Sequence, residues 1–131
     1  VAYYLDTSAL VKLVVGEAET GALRQWLAEA ERDPVSSDLA RTELLRAVRR
    51  AAPDRLVAAR AVLDGVTLLE LTTAIFEAAG RLDPAVLRSL DALHVAAAVE
   101  LGDELDGVVT YDERLAAAAA ANGIPVVSPG A

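Results

Sequence analysis

The sequence predicts an α/β fold of three layers: a mostly parallel central sheet of about five strands with helices on both faces. Three observations predict it. Five short apolar runs are spaced along the chain, and longer segments of helical period lie between them. Strands separated by helices need crossover connections, which make neighbouring strands parallel. The chain has 131 residues, 54% of them apolar, enough for one core without disulfide or metal staples. With no linker, internal repeat or low-complexity tail, residues 1–131 are expected to form one domain.

Each element has its own signal. Ala2-Tyr3-Tyr4-Leu5 reads as a buried strand, followed by a helix from about Thr7 to Val15 that Gly16 ends. Glu17–Ala30 reads as a helix with Leu23, Trp26, Leu27 and Ala30 on one face. Pro34-Val35-Ser36-Ser37 is a second strand, with Ser37 or Asp38 as candidate N-cap of a helix that carries Ala40, Leu44, Ala47 and Val48 on one stripe. Pro53 suits the first turn of a helix reaching Leu63. Val66–Leu71 forms a third strand, and Thr72–Leu82 and Pro84–Leu101 are helical. Gly107-Val108-Val109-Thr110 is a fourth strand and Asp112–Ala121 a helix that Asn122-Gly123 closes. Ile124–Val127 is the last short strand.

Composition excludes several chemistries. No cysteine is present, which removes disulfides, thiolate-held zinc, iron–sulfur clusters and thiol catalysis. A single histidine, His94, leaves no room for a poly-His zinc site. Any metal would be a hard cation held by carboxylates. Net charge is −8, against 12 basic and 20 acidic residues, so nucleic acid can be met only through a local patch. Residues 41–60 provide one: Arg41, Arg46, Arg49, Arg50, Arg55 and Arg60 outweigh Glu43 and Asp54 by four charges. That run suits a solvated helical face or a rim that tracks phosphates. The first residues carry no basic leader pattern and no apolar run is long enough to span a bilayer, so a soluble cytoplasmic protein with no membrane partner is the expectation.

Ligands of parallel sheets sit past the carboxyl ends of the strands, where strand order reverses. Asp6 directly follows the first strand, and Asp112 follows the fourth. If the order reverses between those strands, both carboxylates face one crevice, where they repel unless a cation intervenes. Glu43 borders the apolar stripe of its helix. Asp91 lies beside an apolar helix face, a poor position for an unpartnered Asp. Each has a purely structural reading as well. Asp6 and Asp112 can cap the helices that follow them, and Glu43 and Asp91 can pair with Arg46 and Arg88. His94, alone, reads as a packed or hydrogen-bonded core residue.

The combination resembles a known family. Asp6-Thr7-Ser8-Ala9-Leu10-Val11-Lys12-Leu13 looks like the opening motif of PIN-domain ribonucleases. Thr42-Glu43-Leu44 matches the family's second acidic position. Leu90-Asp91-Ala92-Leu93-His94-Val95-Ala96 matches the third, and Val109-Thr110-Tyr111-Asp112-Glu113-Arg114-Leu115 the fourth. The resemblance covers almost the whole chain in the expected order, and the small size is similar to VapC-type toxins of bacterial toxin–antitoxin pairs.

The resemblance implies a PIN-like fold and a ribonuclease that hydrolyses phosphodiesters with Mg²⁺ or Mn²⁺. Asp6 and Asp91 would be the primary metal ligands, with Asp112 holding a second or weaker ion. Glu43 would orient the water or bind metal through it. Thr7, Ser8 and Thr110 would supply supporting hydroxyls; separately, the basic run of residues 41–60 offers Arg41, Arg46, Arg49 and Arg50 as a candidate rim for RNA. The resemblance further implies a cognate VapB-type antitoxin and a homodimer. Leu13, Val14, Val15, Leu23, Trp26 and Leu27 are candidates for apolar contact with the antitoxin or for the core. Two rivals remain: a PIN-fold binding module without nuclease activity, and a phosphoaspartate phosphotransferase using Asp6. The second lacks its usual acid at Ser8 and a late lysine, because the only lysine is Lys12.

Overall fold

The computed structural model describes residues 2–131. Five strands form one parallel sheet: β1 (Ala2–Leu5), β2 (Asp33–Ser37), β3 (Thr67–Leu69), β4 (Leu105–Val109) and β5 (Val126–Val127). Their spatial order is β3-β2-β1-β4-β5. The chain first builds outward on one side of β1, then returns to build on the other. The order therefore reverses between β1 and β4, and Leu5 stands opposite Val109 in register.

Side-chain alternation along the central strands creates two cores. Leu5 and Val109 face one side, packing with Ala9, Leu10, Leu23, Leu44 and Leu63 from α1 (Thr7–Val14), α2 (Thr20–Glu29), α3 (Leu39–Ala51) and α4 (Leu56–Asp64). Tyr4 and Val108 face the other. They pack with Ile75, Val95 and Leu115 from α5 (Thr73–Gly80), α6 (Ser89–Glu100) and α7 (Glu113–Ala121). The period of two predicts this split. The α6 helix is buried at Ala92 and at every position from His94 to Ala98, so its alanines let it lie close against the sheet. Among the described residues no helix is long and apolar enough to cross a membrane.

Several boundaries differ from the sequence expectation for local reasons. The helix expected from Glu17 starts at Thr20, whose hydroxyl accepts the Glu17 N–H and donates to the Lys12 carbonyl. Pro53–Arg55 forms a 3₁₀ turn before α4, and Pro84–Arg88 is a turn, with α6 beginning only at Ser89. Arg88 is extended (φ −65°, ψ 148°) and the Asp83–Pro84 peptide is cis. Strand β5 begins late because the Ile124 N–H bonds back to Ala119 at the end of α7, and Pro125 has no N–H. Gly123 makes that reversal at φ 76°. Gly107 is required by proximity: a Cβ there would lie 3.0 Å from the Pro125 carbonyl oxygen and 3.2 Å from the Tyr3 ring.

Of the apolar residues considered for a partner surface, Val14 and Leu23 belong to the core. Leu13, Val15, Trp26 and Leu27 are half-buried against it. Trp26 meets Tyr3 edge-on at 4.7 Å between ring centres, and the Arg32 guanidinium lies 4.1 Å over its face. The exposed large apolar side chains lie elsewhere, at Val57, Phe76, Val86, Leu90 and Val99.

Candidate active site

Asp6 is the first residue past β1 and the N-cap of α1. It is only 3% exposed. Its Oδ1 accepts the Ser8 hydroxyl (2.7 Å) and the Ala9 N–H (3.1 Å), and its Oδ2 accepts the Thr110 hydroxyl (2.6 Å). The cap of α1 and the candidate acid at the end of β1 are therefore the same residue. Burial pushes the Asp6 carboxyl above the ordinary aspartate range, against the hydrogen bonds from Thr110, Ser8 and Ala9.

Those hydroxyls also stitch β1 to the loop after β4. Ser8 Oγ accepts the Tyr111 N–H (2.9 Å), and Thr110 Oγ1 accepts the Asp112 N–H (3.0 Å). Thr110 is fully buried. Asp112 caps α7, its Oδ1 accepting the N–H groups of Arg114 (2.8 Å) and Leu115 (3.2 Å).

Glu43, on α3, is held by a different pair. Its Oε1 accepts the Thr7 hydroxyl at 2.6 Å and lies 2.6 Å from His94 Nε2. Burial raises its pKa, but the hydrogen bonds from His94 and Thr7 outweigh that and leave the carboxyl below the ordinary glutamate range. His94 Nδ1 lies 2.7 Å from the Tyr4 hydroxyl, which is itself 3.0 Å from Ser37 Oγ. The three candidate hydroxyls thus divide: Ser8 and Thr110 serve Asp6, and Thr7 serves Glu43.

Asp91 sits in the first turn of α6 and accepts no hydrogen bond among the described residues. Its pKa is raised by partial burial, then by the charge of Asp112 and, after the opposing effect of His94, that of Glu43. It is the carboxylate through which the acids sense one another. No ion pair closes between Glu43 and Arg46, or between Asp91 and Arg88, among the described residues. As the side chains stand, no three Asp, Glu or His groups among the described residues lie close enough to hold a metal ion together. Asp6 is taken up by hydroxyls, Glu43 by Thr7 and His94, and Asp112 by its own helix. The donor chemistry still fits a hard divalent cation: every candidate ligand is a carboxylate oxygen, and Asp91 has no hydrogen-bond donor of its own.

Two grooves flank the acids. One, of about 370 Å³, is lined by Thr7, Glu43, Arg46, Arg50 and Leu90 among others. The other, of about 580 Å³ between α6 and α7, brings Arg88 and Arg114 beside Asp91. Of the expected rim, Arg46 and Arg50 share a groove with Glu43. Arg49 lines a neighbouring apolar groove with Leu45, Leu56, Val57 and Arg60, and Arg41 pairs with Asp38 at 2.8 Å. Sequence reasoning missed Arg88 and Arg114 as groove residues, Tyr4 and Ser37 as the buried hydroxyls behind His94, and His94 as the partner of an acid. The position of His94 one turn after Asp91 was the available signal for the last.

An acid past a central strand, tied by hydroxyls to the neighbouring strand where the order reverses, with further acids on α3, α6 and at the start of α7, is the arrangement of a PIN domain. The PIN domain matches residues 3–121, and the chain belongs to that family. Its type within the family is VapC. It is 45% identical over 132 residues to Ribonuclease VapC47 of Mycobacterium tuberculosis (strain CDC 1551 / Oshkosh), covering 98% of this chain and 97% of that protein. It is 42% identical over 128 residues to Ribonuclease VapC46 of Mycobacterium tuberculosis (strain ATCC 25618 / H37Rv), covering 98% of each. The fold is also that of the crystal structure of Mycobacterium tuberculosis VapC20, a sarcin-ricin loop cleaving toxin (TM-score 0.74, 23% identity, 97% of this chain and 99% of that one).

Proposed function

We propose that this chain is a Mg²⁺- or Mn²⁺-dependent ribonuclease and the toxin of a toxin–antitoxin pair. The observation that carries the catalytic part is Asp91: a partly buried carboxylate with no hydrogen-bond donor, raised in pKa beside Asp112 and Glu43. Such a group is stabilised by a cation placed among the acids. Membership of the VapC-type PIN family supports RNA as the substrate.

Asp6 and Asp91 would hold the ion, with Asp112 contributing once its side chain leaves the α7 cap. The bound cation supplies charge neutralisation at the phosphate and an acidified water. The rest is the work of the chain. Ser8 and Thr110 hold Asp6 in one orientation, so a ligand oxygen needs no reordering. Glu43, whose carboxyl His94 and Thr7 hold below the ordinary glutamate range, is suited to orient the attacking water by accepting a hydrogen bond from it, or to bind the metal through it. Arg46 and Arg50 on one side, and Arg88 and Arg114 on the other, offer guanidinium groups to phosphates flanking the cleaved bond. A local positive rim reconciles RNA binding with a net charge of −8.

The test is cleavage of RNA by the purified wild type and by Asp6→Asn, with Mg²⁺ and with chelator. Asn keeps an N-cap oxygen for α1, and a thermal melt checks that the variant is folded. The expected result is Mg²⁺-dependent cleavage by the wild type alone. Equal cleavage by both proteins would assign the activity to a contaminant.

Family membership also supports a cognate VapB-type antitoxin and a homodimer. Co-expression followed by pull-down yielding only free monomer would count against both. The phosphoaspartate reading is disfavoured by the geometry: both Asp6 oxygens accept hydroxyls, and Lys12 is engaged by Glu19 (3.0 Å) and Glu17 (3.6 Å). Nothing specific favours the inactive binding module.

A further inference from the structure

His94 is the only histidine in the chain, and it is 3% exposed. Both ring nitrogens meet side chains, and one of those is a candidate active-site acid. Nε2 lies 2.6 Å from Glu43 Oε1, and Nδ1 lies 2.7 Å from the Tyr4 hydroxyl. The Tyr4 hydroxyl also lies 3.0 Å from Ser37 Oγ, and both Tyr4 and Ser37 are fully buried. The result is one line of side chains, Ser37–Tyr4–His94–Glu43–Thr7, that runs from the end of β2 through β1 and α6 to α3 and α1.

Chemistry sets the direction of the last link. An ionised carboxylate only accepts, so the Nε2 nitrogen carries the proton and donates it to Oε1. Thr7 donates to the same oxygen at 2.6 Å. Oε1 is therefore taken twice, and Oε2 accepts no hydrogen bond among the described residues. Glu43 lies on a partly exposed helix face, where a glutamate otherwise samples many rotamers. Two donors on one oxygen, one of them a ring anchored in the core, fix it in a single pose. Tyr4 and Ser37 hold the ring itself.

We propose that His94 is a positioning residue of the active site: its ring, braced by Tyr4 and Ser37, fixes Glu43 with Oε1 occupied and Oε2 left for the reaction. This rests on the ribonuclease reading for its kinetic consequences, though not for the hydrogen bond itself. The arrangement matches the general behaviour of groups that orient a catalytic or metal-binding carboxylate from behind, whose loss lowers activity about 10–100-fold.

The experiment is a double-mutant cycle on RNA cleavage at saturating Mg²⁺, at one pH, with folding checked by thermal melts. His94→Leu should lower kcat about 10–100-fold with KM unchanged. His94→Gln, whose amide nitrogen can stand where Nε2 stood, should recover most of that loss, and Tyr4→Phe should lower kcat in the same direction by less. In a Glu43→Gln background, His94→Leu should cost nothing further. A merely structural histidine predicts additive losses. Additive losses, a His94→Gln variant that folds yet does no better than His94→Leu, or an effect confined to KM would each overturn the proposal. If His94→Leu fails to fold, His94→Gln and Tyr4→Phe carry the cycle. If the wild type cleaves no RNA, the ribonuclease reading fails separately, and NMR of ¹⁵N-labelled protein decides this one. The proposal expects a slowly exchanging Nε2–H proton whose shift moves on Glu43→Gln and stays on Asp112→Asn. Absence of that proton overturns it.

Discussion

Thr110 joins the fold to the site, and replacing it by valine separates two roles in one experiment. The change is close to isosteric but removes two hydrogen bonds. One donates to Asp6 Oδ2 at 2.6 Å, a bond to a charged group contributing about 1.5–3 kcal/mol. The other accepts the Asp112 N–H at 3.0 Å, and leaving that donor unpaired costs about 1–3 kcal/mol. The added buried methyl returns about 0.8 kcal/mol. The net expectation is a loss of about 3 kcal/mol at pH 8. The loss must also depend on pH. Asp6 has a folded pKa raised by burial, so the stability it contributes is fully present below the ordinary aspartate range and is lost as pH rises through its folded pKa. Thr110 is the first of the groups that oppose that rise. Without it the folded pKa climbs further, and the penalty grows with pH. Urea unfolding in metal-free buffer between pH 5 and 8.5, above the sequence pI near 4.5, measures this directly. Thr110→Ser keeps both bonds and should lose only about 1 kcal/mol for its methyl. A valine variant as stable as the wild type at pH 8, a penalty flat in pH, or a serine variant as damaged as the valine would refute the reasoning.

Other expectations follow from the same geometry. Asp112→Asn, which keeps an N-cap oxygen for α7, should lower the Asp91 pKa toward the ordinary range while the burial effect persists; a carboxyl NMR titration reads it. Arg46→Ala with Arg50→Ala, or Arg88→Ala with Arg114→Ala, should raise KM for RNA and flatten the salt dependence by about 0.7 for each phosphate no longer neutralised. An unchanged slope in both pairs would dispose of the rim. Arg41→Ala, exposed and paired with Asp38, should leave the slope and stability unaltered. Gly107→Ala should destabilise by about 1–3 kcal/mol in a thermal or urea melt, because its Cβ meets the Pro125 carbonyl and the Tyr3 ring.

Much of the fold is legible because local signals and tertiary demands agree. The run Ala2–Leu5 is apolar on both faces because β1 is the central strand, and Asp6 reads at once as cap and strand-end acid because it is both. The Asn122-Gly123 pair marks the end of α7 through the conformation Gly123 takes. Helix starts were less legible. Apolar periodicity runs back through Pro84–Arg88, but the chain there is a turn, and the residues that stop the helix carry no distinctive signal. The strand-end and helix positions of the candidate acids were legible from order and spacing, whereas their hydrogen-bond partners were not. Spacing along α3 and α6 offers Arg46 and Arg88 as ion-pair partners three residues away. The packing of α6 against β1 and α3 instead brings His94 to Glu43, a pairing between positions 51 residues apart. Likewise, Thr7 and Ser8 are adjacent in sequence yet serve different acids, because they sit on successive positions of a helix and face different neighbours.

In the proposed site, Asp6 after β1 and Asp91 on α6 hold a divalent cation, with Asp112 contributing and Glu43 acting on its water. Calorimetric titration of the purified chain with Mn²⁺ and Mg²⁺ tests it most directly. Uptake by the wild type that is abolished in Asp6→Asn and in Asp91→Asn, with both variants still folded, is the result the account predicts. No uptake by the wild type, or uptake that neither substitution alters, would contradict it.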